Sequence, residues 1–264
     1  MALVLLLFSG LAALIYEVLW LKQLGLLFGN TSQAAAATLA AFFLGLAAGS
    51  WFWGRRCGPM RNPLRVYAGL EAGILVAACF YFVVLGLYDR IYPLLYRQVA
   101  GAGLLLAVKF GLALLLIFPA AFCMGGTIPV MGQWAVASRS RFGETAALLY
   151  CVNTLGAALG AGLAGFFLPL WLGFRGTCWA AMGITAAVAA AAFGFSRAAA
   201  SPTSATPAAP AAPPPAAPAA PAPDDRPALR GRRTILAACF LSGFGVLALE
   251  VLWTRMFAQV LENS

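Results

Sequence analysis

The chain has 264 residues, of which 62% are apolar and only 9% charged, with a formal charge of +9 and no histidine. So little charge could not hydrate the surface of a soluble domain of this length, so lipid is the solvent for most of the chain. The basic residues are scattered between apolar runs with no aromatic stacking platform beside them, which excludes a nucleic-acid binder, and without histidine neither a metal nor a haem cofactor is expected.

Apolar runs of about 20 residues, enough to cross a hydrocarbon core of about 30 Å, recur in chain order at Leu3–Leu27, Ala34–Trp53, Val66–Tyr88, Leu104–Phe122, Ala146–Leu170, Thr177–Phe195 and Ile235–Phe257. The expected fold is therefore all-α, a polytopic helical bundle. The first run is expected to be a structural span rather than a signal peptide, since it has no basic start, is too long and contains Glu17. An ionised side chain near the bilayer centre costs at least about 2.5–3.5 kcal/mol and needs a partner or a water-lined cavity. Glu17 is expected to pair with Lys109 of the fourth run, which lies at a similar depth below the same surface. Two readings stay open: a structural interhelical bridge or neutral glutamate, and a cation or proton site. Lys22 is near enough to the interface to snorkel.

On the second run, Gly45 and Gly49 provide the small-xxx-small spacing that lets helix backbones approach. Glu71, within a turn or two of the end of the third run, is expected to be solvated. The fourth run leads into FPAAFCMGGTIPVM, where Pro119 and Pro129 flank Gly125 and Gly126. Proline removes an amide donor and glycine tolerates unusual dihedrals, so the helix is expected to kink or break there. Either this is the ordinary end of the fourth helix, continued as an interfacial segment to Ser138, or a broken helix lining a cavity. The fifth run, LYCVNTLGAALGAGLAGFFLPL, carries packing glycines Gly156, Gly160, Gly162 and Gly165, and Asn153 and Thr154 a few turns inside it. Interhelical hydrogen bonding and cavity lining are the alternatives for that polar pair.

The even-numbered loops hold Arg55, Arg56, Arg61 and Arg65, then Arg139 and Arg141, then five arginines from Arg197 to Arg233, whereas the odd loops hold Arg90, Arg97 and Arg175. Basic residues are retained on the cytoplasmic side, so the N-terminus is expected to be cytoplasmic. The six cysteines, Cys57, Cys79, Cys123, Cys151, Cys178 and Cys239, form no CxxC pair and are expected to pack in the spans. The expected organisation is a six-helix unit (1–196), an Ala/Pro-rich cytoplasmic linker (197–233) that cannot bury a core, and a last helix (234–264).

That last helix repeats the first. SGLAALIYEVLWLK, from Ser9, and SGFGVLALEVLWTR, from Ser242, align without a gap, setting Glu17 on Glu250, Trp20 on Trp253, Lys22 on Arg255 and, further on, Asn30 on Asn263. Two apolar helices share leucines by chance, but not a glutamate, a tryptophan, a cation and an asparagine at the same offsets. Six crossings between the copies orient both the same way, the pattern of transporters built from two parallel repeats. The second repeat stops at Ser264, and a fragment of a longer protein is the expected reading.

The run SGLAALIYEVLWLKQLGLLFGNTSQAAAATLAAFFLGLAAGSW, the CMGGTIPVM stretch and LLYCVNTLGAALGAGLAGFFLPLWLGFRGT together resemble the membrane domain of bacterial membrane-bound spermidine synthase-like proteins, in which a transporter-like module is fused to an aminopropyltransferase. The resemblance spans nearly everything except the linker. It implies a bacterial inner-membrane protein whose chemistry resides in a soluble Rossmann-like domain binding decarboxylated S-adenosylmethionine and putrescine. No strand with a Gly-rich turn and a downstream ribose-binding acid occurs in these residues, so the enzyme assignment stays open. Three functions compete: the membrane module of a polyamine-synthesising enzyme, half of a major-facilitator-like transporter for a polyamine or other cationic small molecule, and a non-catalytic subunit docking a partner chain. Beyond membrane lipid, the expected partner is a further domain or a membrane subunit.

Overall fold

The computed structural model describes residues 1–28, 32–58, 60–98, 102–136, 142–198 and 225–262, and all the regular structure among them is helical. The helices are α1 (Ala2–Phe28), α2 (Ser32–Arg56), α3 (Pro63–Gln98), α4 (Ala102–Val136), α5 (Phe142–Gly162), a π-helical turn (Leu163–Phe167), α6 (Leu168–Ala198) and α7 (Asp225–Glu262). The chain divides into two compact units, Met1–Ser201 and Pro202–Ser264. Five stretches are long and apolar enough to cross a membrane, Ala2–Leu26, Ala35–Arg56, Pro63–Leu87, Ala107–Ala135 and Gly143–Ala198, and Thr234–Glu250 is a shorter apolar stretch of α7. The chain is thus a multi-pass helical membrane protein.

The fifth stretch contains the expected fifth and sixth spans. They part at Gly173, whose φ of 67° is the one positive φ among the described residues. A residue with a Cβ adopts that angle at a cost, so glycine stands where the chain turns back. Thr177 steadies the turn by donating its hydroxyl to the Gly173 carbonyl at 2.7 Å. The π-turn just before has its own cause. Pro169 has no N–H to give and its ring crowds the preceding turn, and the ladder widens ahead of it, with the Leu168 N–H reaching the Leu163 carbonyl.

Within the first unit the helices alternate in direction. Leu5 and Ser9 of α1 meet Tyr67 and Glu71 of α3, and farther along Gln23 meets Tyr81, so α1 and α3 run parallel. Asn62, at the start of α3, reaches the Ser196 carbonyl near the end of α6, whereas Phe82 stacks on Trp179 near its beginning, so α6 runs opposite to α3. Leu5, Asn62 and Ser196 therefore share one end of the bundle. Asn62 also caps α3, accepting from the Arg65 N–H at 3.1 Å, with Pro63 in the first helical position where no donor is needed.

Two interfaces are built on glycine. Between α2 and α4, the most extensive contact in the unit, a Cβ on Gly45 would meet the Ala121 side chain and one on Gly49 the Phe122 carbonyl. From the other side, Gly125 faces the Leu46 carbonyl and Gly126 the Trp53 indole. Between α1 and α5, Gly156 and Gly160 face the carbonyls of Leu7 and Leu11, and Gly10 faces Asn153. Backbones this close gain dispersion contacts along their length, the driving force left when lipid is as apolar as the side chains.

Four expectations are corrected. First, α4 is one helix from Ala102 to Val136 with Pro119 and Pro129 inside it, so the expected break does not occur. Gly125 and Gly126 are spent on close approach to α2 rather than on unusual dihedrals, and Val130 and Met131 beyond them are fully buried, which holds the helix together past both prolines. Second, neither Gly162 nor Gly165 packs closely: nothing beyond the helix's own nearby backbone lies within 4 Å of either Cβ position. The π-turn adds a residue and passes the inward position to Ala164, which is fully buried. Third, α7 begins at Asp225, inside the expected linker, because Pro227 falls in the first turn, where a missing N–H breaks no bond. The rest of the linker, residues 199–224, lies outside the described residues. Fourth, of the six cysteines Cys178 is buried, Cys57 and Cys123 are half-buried, and Cys79, Cys151 and Cys239 are exposed, so packing is not their common role.

Candidate functional site

The interior polar groups gather on α1. Its Ser9 donates to Glu71 Oε1 of α3 at 2.6 Å, and both side chains are buried, Glu71 to 1% exposure. Tyr67, one turn before Glu71 on the same face, donates its hydroxyl to the Leu5 carbonyl at 3.4 Å and bears on the same carboxyl. Two turns deeper, the Tyr16 hydroxyl shares a 3.4 Å hydrogen bond with Thr185 of α6. Deeper still, Tyr81 donates to Gln23 Oε1 at 3.2 Å.

An aromatic column accompanies these groups. Tyr16 stacks on Trp20 at 5.2 Å between centroids, Trp20 meets Tyr81 at 5.5 Å, Tyr81 meets Phe82 at 6.2 Å and Phe82 stacks on Trp179 at 5.9 Å. Trp20 is almost fully buried, and its indole Nε1 has no hydrogen-bond partner among the described residues.

Glu71 corrects the sequence reading, which placed it in solvent. Depth along the helix was the wrong measure; the face decides. Leu64, Tyr67, Ala68, Ile74, Ala78 and Tyr81 are all buried, and Glu71 falls in register with them at helical spacing. The outward face of α3, with Val76, Phe80 and Val83, is just as apolar, so the sequence alone carried no signal for that facing. Ala12 and Ile74 belong to one apolar cluster and Leu5, Leu6, Tyr67 and Leu70 to a second, so the carboxyl sits where the two clusters meet.

Of the expected polar residues, Glu17 and Lys109 are both half-buried and lie on helices that touch. Asn153 is half-buried against Gly10 of α1. Thr154 is exposed and donates to the Tyr150 carbonyl of its own helix at 2.9 Å, so it is neither an interhelical bond nor part of an interior cavity. Glu250 lies within α7, in the second unit, inside the repeated segment. None of them lines the pocket of about 270 Å³ found between the start of α1, the end of α4 and the start of α5, whose walls include Leu3, Trp134, Thr145 and Leu149.

Charge is placed at the ends. Arg56 lies over the Phe52 ring at 3.8 Å, Arg55 over Trp51 at 5.0 Å and Arg197 over Phe193 at 4.7 Å. Those arginines close α2 and α6 at the end of the bundle that holds Leu5 and Asn62. Such aromatic and cationic pairs suit the level of lipid headgroups, where one side is apolar and the other wet.

The chain matches no protein-family model, no curated protein and no solved structure.

Proposed function

We propose that this chain is the membrane module of a bacterial inner-membrane protein of the spermidine synthase-like kind, one that handles a polyamine or another small cation within a parallel-repeat helical scaffold. The observation that carries the reading is the repeated segment with a glutamate in the middle of an apolar helix, Glu17 in SGLAALIYEVLWLK and Glu250 in SGFGVLALEVLWTR. Both copies lie within helices, α1 and α7. An acid at this position is too costly to be retained for packing alone when an apolar residue would serve, and a cation in transit needs its charge neutralised. The N-terminus is cytoplasmic in this reading, supported by the arginines gathered at the end of the bundle where α1 starts. Glu17 pairs with Lys109 at rest and exchanges that partner for the incoming cation.

Equilibrium binding of radiolabelled spermidine to the full chain in lipid nanodiscs tests it. Saturable binding is expected, weakened about tenfold in Glu17→Gln, a loss of about 1.4 kcal/mol. Binding unchanged in that variant removes Glu17 from the site, and no saturable binding in the parent chain sinks the cation reading.

A further inference from the structure

Glu71 is the buried acid that the repeat does not explain, since α3 has no second copy here. Its carboxyl accepts from Ser9 at 2.6 Å and lies about 12 Å along α3 from Pro63, reckoned at about 1.5 Å per residue. Among the described residues no lysine or arginine is bonded to it. The other titratable side chains that bear on it are Tyr16 from α1, Tyr67 from its own helix and Cys123 from α4, and α6 closes this level with Val188 and Ala192. An anion so placed would keep one or two hydroxyl hydrogen bonds in exchange for its hydration, well short of what a buried charge requires.

The direction of the hydrogen bonds points the same way. Tyr67 has one hydrogen for two acceptors in reach, the Leu5 carbonyl and the Glu71 carboxyl, and while it gives that hydrogen to Leu5 its oxygen is left to Glu71 as an acceptor. A carboxyl facing a hydroxyl oxygen in that state completes the network if it carries a hydrogen of its own, running from Glu71 to Tyr67 to Leu5. Ser9 then donates to the carbonyl oxygen of the same group. Every member is satisfied, with no cation and no cavity required. The proton is the one cation that fits such a place.

We propose that Glu71, held between Ser9 and Tyr67, is a proton-binding site of the bundle. The bound state is the closed contact of α1 with α3. Release breaks the carboxyl O–H bond, leaves the electron pair on the carboxylate and passes the proton to water. It requires the Ser9–Glu71 contact to part so that water can enter from the end shared by Leu5, Asn62 and Ser196. This inference goes beyond the cation reading above and does not depend on it, since it involves neither Glu17 nor a substrate.

Infrared spectroscopy of the full chain reconstituted in lipid tests it. At neutral pH a protonated-carboxyl stretch is expected that is absent in Glu71→Gln and shifted in Ser9→Ala, where the carbonyl oxygen loses its donor. The band is expected to vanish and return reversibly on a jump to alkaline buffer and back. Overturning results are a carboxyl region identical in Glu71→Gln and the parent, or a band that persists unchanged in alkaline buffer up to unfolding. Should Glu71→Gln fail to fold, Ser9→Ala decides alone, an unshifted band overturning the proposal.

Discussion

Gly49 and Gly156 are positions where a hydrogen atom is the whole side chain because the neighbouring helix backbone occupies the space a methyl would take. Gly49→Ala and Gly156→Ala are each expected to cost about 1–3 kcal/mol, the usual penalty of overpacking, read as a lower midpoint in reversible unfolding from mixed micelles. Gly165→Ala, with open space around it, is expected to stay within about 0.5 kcal/mol. Equal losses at all three sites would show that glycine content rather than contact matters. Small-residue spacing told where helices approach, yet it could not say that Gly165 falls out of register, because that depends on a π-turn imposed by Pro169 two turns from the last close contact. Glu71 was misplaced for a related reason: its depth could be counted in the sequence, whereas its partner Ser9 lies on another helix.

Among the helices, α4 and α6 show opposite uses of helix-breaking residues. Two prolines and a glycine pair leave α4 intact, since tertiary contacts with α2 hold the helix on both sides of them. Pro119→Ala is expected to restore a ladder hydrogen bond and leave stability unchanged or raised by about 1 kcal/mol; a marked loss would show that the proline shapes the native path. In α6 the single Gly173 turns the chain, and Gly173→Ala is expected to cost about 1 kcal/mol or more because alanine pays to reach its φ of 67°. Helical content by circular dichroism should barely change in either variant, which separates a local backbone cost from unfolding. The FPAAFCMGGTIPVM composition is stronger break chemistry than LPLWLGFRG, so local propensity alone ranked these two places in the wrong order.

At the scale of the molecule, the first unit starts and finishes at the same end, carried by alternating helices that bring Leu5, Asn62 and Ser196 together. A cysteine placed at Arg61 is therefore expected to react with an impermeant maleimide on the opposite side of the membrane from one placed at Arg175. Cysteines at Asn30 and Asn263, both outside the described residues, are expected to react from one common side if the two repeats are parallel; opposite sides would end the repeat reading. The first six spans, the all-helical class and the turn between the fifth and sixth helices were legible in the chain itself, because crossing a bilayer demands a long apolar run and satisfied backbone groups whatever the surroundings. Which face of each helix turns inward was not legible: in lipid both faces are apolar, as the exposed Val76, Val83, Leu170 and Trp171 beside the buried core show, so hydropathy carries little information about facing. That choice, and with it the burial of Glu71 against Ser9 and the survival of α4 through its prolines, was made by contacts between helices, where close packing and hydrogen-bond pairing arise only once the partners have met.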